Sequence, residues 1–128
     1  NIVDTLWSKL VSVGAIGTLM TAARASLPEI LASPHGEATI RMLMEEIVAV
    51  GQSQGVTLPP RCVESKLEGA KAEADEFQSS LQYDLSIGKP LELDELLGAV
   101  VEMAGESGIP VPASAALVSV LDRFKHGS

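Results

Sequence analysis

The chain has 128 residues, with 9 Lys and Arg against 17 Asp and Glu and a formal net charge of −8, and its length is that of one domain. Its 46% hydrophobic content supports a globular fold over a disordered one, and a chain of this length can build a core without disulfides or structural metal. The acidic balance and the lack of a basic run exclude nucleic acid and anionic membrane surfaces as partners, and we expect no apolar stretch long enough to span a membrane.

Helical spacing of apolar residues predicts a long, largely buried first helix over residues 4–25. Gly14 and Gly17 lie inside it, and glycines in a helix interior commonly let another part of the chain or a ligand approach closely. A short helical turn is predicted next, over residues 27–31, with Pro28 near its start.

Two further helices are predicted between residues 37 and 77. The first covers residues 37–53, with Glu45 and Glu46 on the polar side opposite its apolar stripe. The second covers residues 62–77, and its thin apolar stripe is typical of a surface helix.

Three more helices are predicted in the last third of the chain. A short one covers residues 81–87. The next covers residues 91–106, and three carboxylates fall in its first turn, where the helix dipole favours them: Glu92, Asp94 and Glu95. The last covers residues 113–125, with four side chains facing inward: Leu117, Val120, Leu121 and Phe124. Because no segment alternates apolar and polar residues as a strand does, the sequence predicts an all-α bundle of about six to seven helices.

The sequence has neither a glycine-rich phosphate loop nor a His-Glu-x-x-His pattern. Cys62 is the only cysteine, which excludes an intrachain disulfide and a cysteine-based metal cluster, and we expect no metal. His35 lies in a turn and His126 near the end of the chain, and neither is expected to act as a ligand or a base. A lone thiol and the lack of a signal-peptide pattern favour a cytoplasmic protein.

Lys9 is a catalytic candidate because it lies on an otherwise apolar helix. Val13 and Gly17 follow it at steps of four residues and should share its face of the helix. An ammonium among apolar groups is poorly hydrated, which makes it a better proton donor. The alternative is a lysine that extends to water from the first turns of the helix, and the spacing alone favours that alternative.

Ser79, Ser80 and Glu92 each have a structural and a functional interpretation. Either serine can cap the helix that follows, and Ser79 with Gln82 matches a capping box, whereas a free hydroxyl can bind a ligand carboxylate. Glu92 can stabilise a helix N-terminus or bind a hydroxyl group of a ligand. Taken singly, each residue favours the structural role.

Six segments agree in order and spacing with a known family: residues 7–10, 44–50, 79–85, 88–94, 98–101 and 108–112. The most specific patterns are Trp-x-Lys near the start, then Ser-Ser-x-x-x-Asp, then Gly-x-Pro-x-Glu-x-Asp. Together they resemble the C-terminal helical domain of the ketopantoate reductases (2-dehydropantoate 2-reductases). The resemblance covers nearly the whole chain.

The resemblance implies a fold like that of the 6-phosphogluconate dehydrogenase C-terminal domain, with residues 1–128 forming one substrate-binding and dimerisation domain. It implies an NADPH-dependent oxidoreductase that reduces a 2-oxo acid to a 2-hydroxy acid, with NADP bound mainly by an N-terminal Rossmann domain that this sequence lacks. The family lysine, matching Lys9, protonates the carbonyl oxygen. The family serine, matching Ser80, binds the substrate carboxylate. The family glutamate, matching Glu92, lies between cofactor and substrate, and Asp84 matches a further family aspartate.

One departure from the family concerns the substrate pocket. The ketopantoate-reducing members carry asparagines four and eight residues after the lysine, where this chain has Val13 and Gly17. Losing both amides makes the pocket less polar and predicts a different, more apolar 2-oxo acid or ketone. The chain resembles a subgroup of members that has this same substitution.

A second departure is that no cofactor domain precedes Asn1, so we expect a fragment of a longer reductase that is inactive alone and forms a homodimer. One alternative is a free-standing helical dimerisation or interaction module without catalytic activity. Another is a bundle with no small-molecule site, in which Lys9, Ser80 and Glu92 do not converge. A glycine-rich loop upstream of Asn1 would favour the reductase, and a nearby start codon would favour the module.

Overall fold

The computed structural model describes residues 2–127, which are mainly helical and contain no strand. A π-helical turn, Leu10–Gly14, joins the first two helices into one continuous rod, and the rods of the bundle therefore number seven among the described residues. This confirms the prediction of an all-α bundle of six to seven helices. Asn1, the predicted domain boundary, lies outside the described residues. The helices are α1 (Ile2–Lys9), α2 (Ala15–Ala23), α3 (Leu27–Ala32), α4 (Gly36–Ser53), α5 (Cys62–Ala72), α6 (Ser80–Ser86), α7 (Leu97–Ser107) and α8 (Pro112–Asp122), with 3₁₀ turns at Ala74–Glu76 and Leu93–Glu95.

The first rod, Ile2–Ala23, is exposed at its start and buried further along. Ile2 and Leu6 are 78% and 62% exposed, whereas Ile16 and Met20 are buried. The prediction of a largely buried helix is therefore wrong for its first turns. By length and composition alone, the rod is apolar enough to cross a membrane, so the expectation that no stretch reaches that length is wrong too. Half of its most apolar 18-residue stretch is buried inside the bundle, as in the core helix of a globular domain.

The main core surrounds α4. Leu43, Met44 and Ile47 are fully buried there, and α4 contacts α2, α5, α7 and α8. The Trp7 ring packs against Gly51 of α4. The two are so close that a Cβ on Gly51 would lie 3.0 Å from Trp7 Cε3. Burying each such aliphatic side chain contributes roughly 1.5–3 kcal/mol. This packing fixes the position of the first rod, which carries the predicted lysine.

Glu46 is buried, although the sequence predicted it on the polar side of α4 together with Glu45. Its carboxylate accepts hydrogen bonds from Ala113 N at 3.0 Å and from Ser114 N at 2.7 Å. Both amides lie in the first turn of α8, where N–H groups have no partner within their own helix and favour a carboxylate. The prediction was wrong because apolar spacing does not reveal a carboxylate that is buried by capping another helix.

The predicted helix over residues 91–106 starts later than expected. Helix α7 begins at Leu97, so Glu92, Asp94 and Glu95 precede its first turn instead of lying within it. Leu93 is fully buried in a small second core and holds a separate 3₁₀ turn there.

Two other predictions near the surface need correction. Val120 is 53% exposed rather than facing inward, because α8 buries Leu121, and the next position on a helix points about 100° away. The helix predicted over residues 62–77 ends at Ala72, and a 3₁₀ turn follows before Phe77, whose backbone is extended.

Candidate functional site

An apolar groove lies between the first rod and the start of α7. Its volume is about 360 Å³. Lys9 and Glu95 are its charged lining residues, and the rest of the lining is apolar: Leu6, Trp7, Leu10, Val13, Leu96, Ala99 and Met103. Small-molecule sites commonly have this size and this composition, in which a few polar groups are set in an apolar wall.

Lys9 lies on the ridge between this groove and a second, more polar one. The second groove has a volume of about 550 Å³, and its lining includes Ser8, Ser12, Thr57 and Lys66. The Lys9 side chain is exposed, and within residues 2–127 it forms no ion pair or side-chain hydrogen bond. In this chain the lysine therefore extends to water, and its ammonium is available to a ligand.

The π-helical turn Leu10–Gly14 directly follows Lys9 and was not predicted from the sequence. Such turns are rare and occur often at functional sites. Lys9 precedes the turn, Val13 lies within it, and both line the apolar groove. The two residues that the sequence placed on one helix face thus share this groove.

Gly17, further along the rod, contacts the loop before α6. A Cβ on Gly17 would lie 3.2 Å from Ser79 Oγ, and this hydroxyl donates to Gly17 O at 3.1 Å. Ser79 Oγ also accepts a hydrogen bond from Gln82 N at 3.1 Å, which makes Ser79 the buried N-cap of α6, as its structural interpretation predicted. The predicted capping box is incomplete, because the Gln82 side chain instead donates to Met20 O and Ala25 O.

Ser80 and Asp84 lie on α6, directly after this cap. Ser80 is the first residue of the helix and is exposed, and Asp84 is half-buried one turn later. Neither side chain forms a hydrogen bond or ion pair with another described residue. Ser79 is therefore used by the fold, whereas Ser80 is available to a ligand.

Glu92 lies on an exposed turn that is held to the end of the chain. Leu91 N donates to Lys125 O at 2.9 Å, and Lys125 Nζ lies 3.3 Å from the Asp94 carboxylate. Hydrogen bonds to Asp122 and then to Asp94 raise the pKa of Lys125 above its ordinary value. These contacts fix the turn on both sides of Glu92 and leave the Glu92 side chain exposed.

The predicted site residues lie along one rod and on the two elements next to it. The structure brings Lys9 and Val13 into one groove and Gly17 against the residue before Ser80. Ser80 and Glu92 lie outside the groove lining, and Glu92 comes three residues before the lining residue Glu95. An exposed ammonium beside an apolar wall can bind a carboxylate or stabilise negative charge on an oxygen.

The wall that α7 and the residue before it contribute was not predicted. Leu96, Ala99 and Met103 are spaced by three and four residues, which marks one face of a helix. The spacing was present in the sequence, but the same pattern is typical of a face that packs into a core. Only the position of the first rod shows that this face borders a groove.

Neither a metal site nor a phosphate-binding loop is found in the part of the chain that the structure describes. No group of three or more His, Cys, Asp or Glu side chains in residues 2–127 is placed to hold a metal ion. Dinucleotide-binding loops follow a strand and begin a helix, and these residues contain no strand. Residues 2–127 therefore contain no dinucleotide-binding loop of this kind.

A family model and the curated relatives agree on one family. Residues 1–125 match the family described as "Ketopantoate reductase PanE/ApbA C terminal". The chain is 29% identical over 124 residues to the 2-dehydropantoate 2-reductase of Mesorhizobium japonicum, and 30% identical over 125 residues to that of Caulobacter vibrioides. These matches cover 97% and 95% of this chain but 37% and 41% of those enzymes, so the chain spans about two fifths of the length of these curated relatives.

A solved structure shows the same fold. A dimeric ketopantoate reductase from Staphylococcus aureus matches with a TM-score of 0.90 and 23% identity, over 98% of this chain and 44% of that one. Because the family match covers almost the whole chain, this protein belongs to the family of ketopantoate reductase C-terminal domains.

Proposed function

We propose that this chain is the substrate-binding domain of an NADPH-dependent oxidoreductase that reduces a 2-oxo acid to a 2-hydroxy acid. The curated relatives named 2-dehydropantoate 2-reductase support this proposal. NADP is bound mainly by a Rossmann domain outside these 128 residues, since the described residues supply no phosphate loop. The bound cofactor supplies hydride to the carbonyl carbon of the substrate.

Lys9 provides the observation on which the proposal depends. Its ammonium is exposed, has no partner within residues 2–127 and borders an apolar groove of small-molecule size. In the proposed reaction Lys9 stabilises the negative charge that develops on the carbonyl oxygen and donates a proton to that oxygen.

The other predicted residues hold the substrate. The unpartnered hydroxyl of Ser80 binds the substrate carboxylate, and Asp84 borders the same site one helical turn later. Glu92, exposed on its fixed turn, lies where substrate meets cofactor. We place the chain in the subgroup that lacks both amides, and the presence of Val13 and Gly17 where other members have asparagines supports this.

We further propose that the protein is a cytoplasmic homodimer. Ile2 and Val120 are large apolar side chains that this chain leaves exposed, and a second copy would remove such surface from water. The relative from Staphylococcus aureus is described as dimeric. Cys62 is a free, buried thiol, as is usual in a reducing compartment. Sedimentation velocity of the purified protein tests the dimer.

The reductase is tested by expressing the complete reading frame that encodes this chain and following NADPH oxidation with a series of 2-oxo acids. We expect saturable oxidation with at least one of them and a 2-hydroxy acid as product. A folded protein that oxidises NADPH with none of them would instead favour the free-standing interaction module.

A further inference from the structure

The apolar groove has few groups that can bind a polar substrate side chain. Leu10 and Val13 contribute to its wall from the first rod, and Leu96 and Met103 contribute from the other side. Apart from Lys9 and Glu95, none of its lining side chains is charged. A hydroxylated substrate side chain in this groove would lose hydrogen bonds to water and regain few from the protein.

Gly17 lies outside the lining of this groove and contributes no polar group to it. A side chain at position 17 would start 3.2 Å from Ser79 Oγ, so Ser79 would have to shift by a few tenths of an ångström to accept it. That hydroxyl is already used, because it donates to Gly17 O and accepts from Gln82 N. The Ser79 hydroxyl therefore has little hydrogen-bonding capacity left for a substrate.

We propose that this groove selects 2-oxo acids whose side chain is a hydrocarbon, and that Val13 is a specificity-determining residue. This inference rests on the proposed function, since it names the substrate class of the same site. The carbonyl group of the substrate lies at Lys9, as in the proposed reaction, and the hydrocarbon chain lies between Val13 and the wall of Leu96 and Met103. Each buried methylene contributes about a fourfold gain in affinity, or on the order of fiftyfold over three.

Trp7 allows this selection to be measured on the chain itself. It is the only tryptophan and it lines the groove, so its fluorescence reports a ligand there. The probes are pyruvate and 2-oxohexanoate, which share one head group and differ by three carbons. We expect 2-oxohexanoate to bind more tightly by on the order of fiftyfold. Dissociation constants within about threefold of one another, less than one methylene contributes, would overturn the proposal.

A pair of valine variants locates the selection in the groove. Val13→Asn places an amide in the wall and should reduce the preference for 2-oxohexanoate to about tenfold or less, because the hydrocarbon chain then contacts a polar group. Val63→Asn is the matched control, since Val63 is also half-buried but lies on α5 outside the groove, and it should keep the full preference. Thermal unfolding of both variants confirms that they are folded. An unchanged preference in folded Val13→Asn would overturn the proposal.

The activity of the complete reading frame separates this inference from the proposed function. NADPH oxidation with similar kcat/KM for pyruvate and 2-oxohexanoate would support the reductase and overturn the hydrocarbon selection. Chain-length-dependent quenching of Trp7 fluorescence without NADPH oxidation would support the groove as a hydrocarbon site and reject the reductase.

Discussion

Glu46 Oε1 accepts a hydrogen bond from Ser114 Oγ at 2.6 Å and thereby connects the middle of α4 to the start of α8. The same carboxylate accepts from the backbone N–H groups of Ala113 and Ser114. Helix α8 thus has its N-terminal cap on another helix, 67 residues earlier in the sequence than Ala113.

We expect Glu46→Gln to lower the free energy of unfolding by about 2 kcal/mol, since a hydrogen bond to a charged group contributes about 1.5–3 kcal/mol. The side-chain amide introduced at position 46 would also point its NH₂ group toward one of the backbone N–H donors of α8, and two donors cannot form a hydrogen bond with each other. Urea unfolding measures the change. The control is Glu45→Gln on the exposed side of α4, which should stay within about 0.5 kcal/mol of the parent chain. Equal effects of the two substitutions would contradict the capping role.

Lys9→Ala in the complete enzyme should lower kcat by about 10²–10⁴-fold, because a positioned proton donor contributes that much. Steady-state NADPH oxidation measures it. Lys71→Ala is the control, since Lys71 pairs with Glu37 on the surface and lies outside both grooves. A Lys9→Ala enzyme that turns over as fast as the control would remove Lys9 from the mechanism.

Gly17→Ala should not give the usual stabilisation of a helix interior. Replacing glycine by alanine there commonly gains about 1 kcal/mol, but the new Cβ would lie 3.2 Å from Ser79 Oγ, which two hydrogen bonds hold in place. Gly69→Ala is the control, because a Cβ at Gly69 meets no atom within 4 Å, and it should gain about 1 kcal/mol.

A double-mutant cycle isolates this contact. In a Ser79→Ala chain the obstructing hydroxyl is gone, so Gly17→Ala should then gain about 1 kcal/mol, measured by urea unfolding. The same effect of Gly17→Ala with and without Ser79 would show that the two residues are not coupled.

Cys62 should react slowly with thiol reagents while the chain is folded. Burial raises the pKa of its thiol above the ordinary value of 9.0, opposed by the smaller effect of the nearby Lys66 ammonium. The thiolate is the reactive form, so at pH 8 we expect a lower rate than that of the urea-unfolded chain, and the rate of the folded chain should keep rising with pH above 9.0, where that of the unfolded chain levels off. The absorbance change with a disulfide reagent measures the rate. Equal rates in the folded and unfolded chains would contradict this placement of the thiol.

Lys125→Met should loosen the turn that carries Glu92 with little loss of global stability. Exposed ion pairs contribute little to global stability, but those of Lys125 with Asp94 and Asp122 also position the carbonyl that holds Leu91 N. Faster hydrogen exchange at the Leu91 amide is the expected result.

The pH dependence of that turn follows from the raised pKa of Lys125. The folded pKa lies above the unfolded value of 10.5, so the contribution is complete below 10.5 and is lost as the pH rises through the folded pKa. Lys89→Met, which removes an exposed lysine near the same turn, is the control and should leave the exchange rate unchanged. In the parent chain, a Leu91 amide that exchanges as fast at neutral pH as it does above the folded pKa of Lys125 would contradict this role of Lys125.

Features that depend on neighbouring residues in the sequence were predicted well. The helical class, the short turn after Pro28 and the cap at Ser79 all follow from spacing or from one side chain acting within a few residues. Ser26 and Glu29 form a capping box that the same local rules describe.

Features that depend on distant contacts were not predicted. The burial of Glu46 requires donors on α8, and the late start of α7 follows from Leu93 packing beside Leu121 in the second core. The groove needs the first rod and α7 to lie side by side. The direction of Lys9 toward that groove also depends on a turn whose spacing, read from the sequence, resembles an ordinary α-helix.

The π-helical turn Leu10–Gly14 makes the first rod sensitive to its length in residues. A π turn closes over one more residue than an α turn, so it acts as a one-residue insertion between two α-helices. Deleting one residue there would restore a uniform α-helix and rotate the preceding segment by about 100° relative to α2. Trp7 would then leave its place over Gly51, and Lys9 would leave the groove with it. The position of the lysine thus depends on the number of residues in this turn, and a deletion of one residue would disturb the core contact of Trp7 and the groove at the same time.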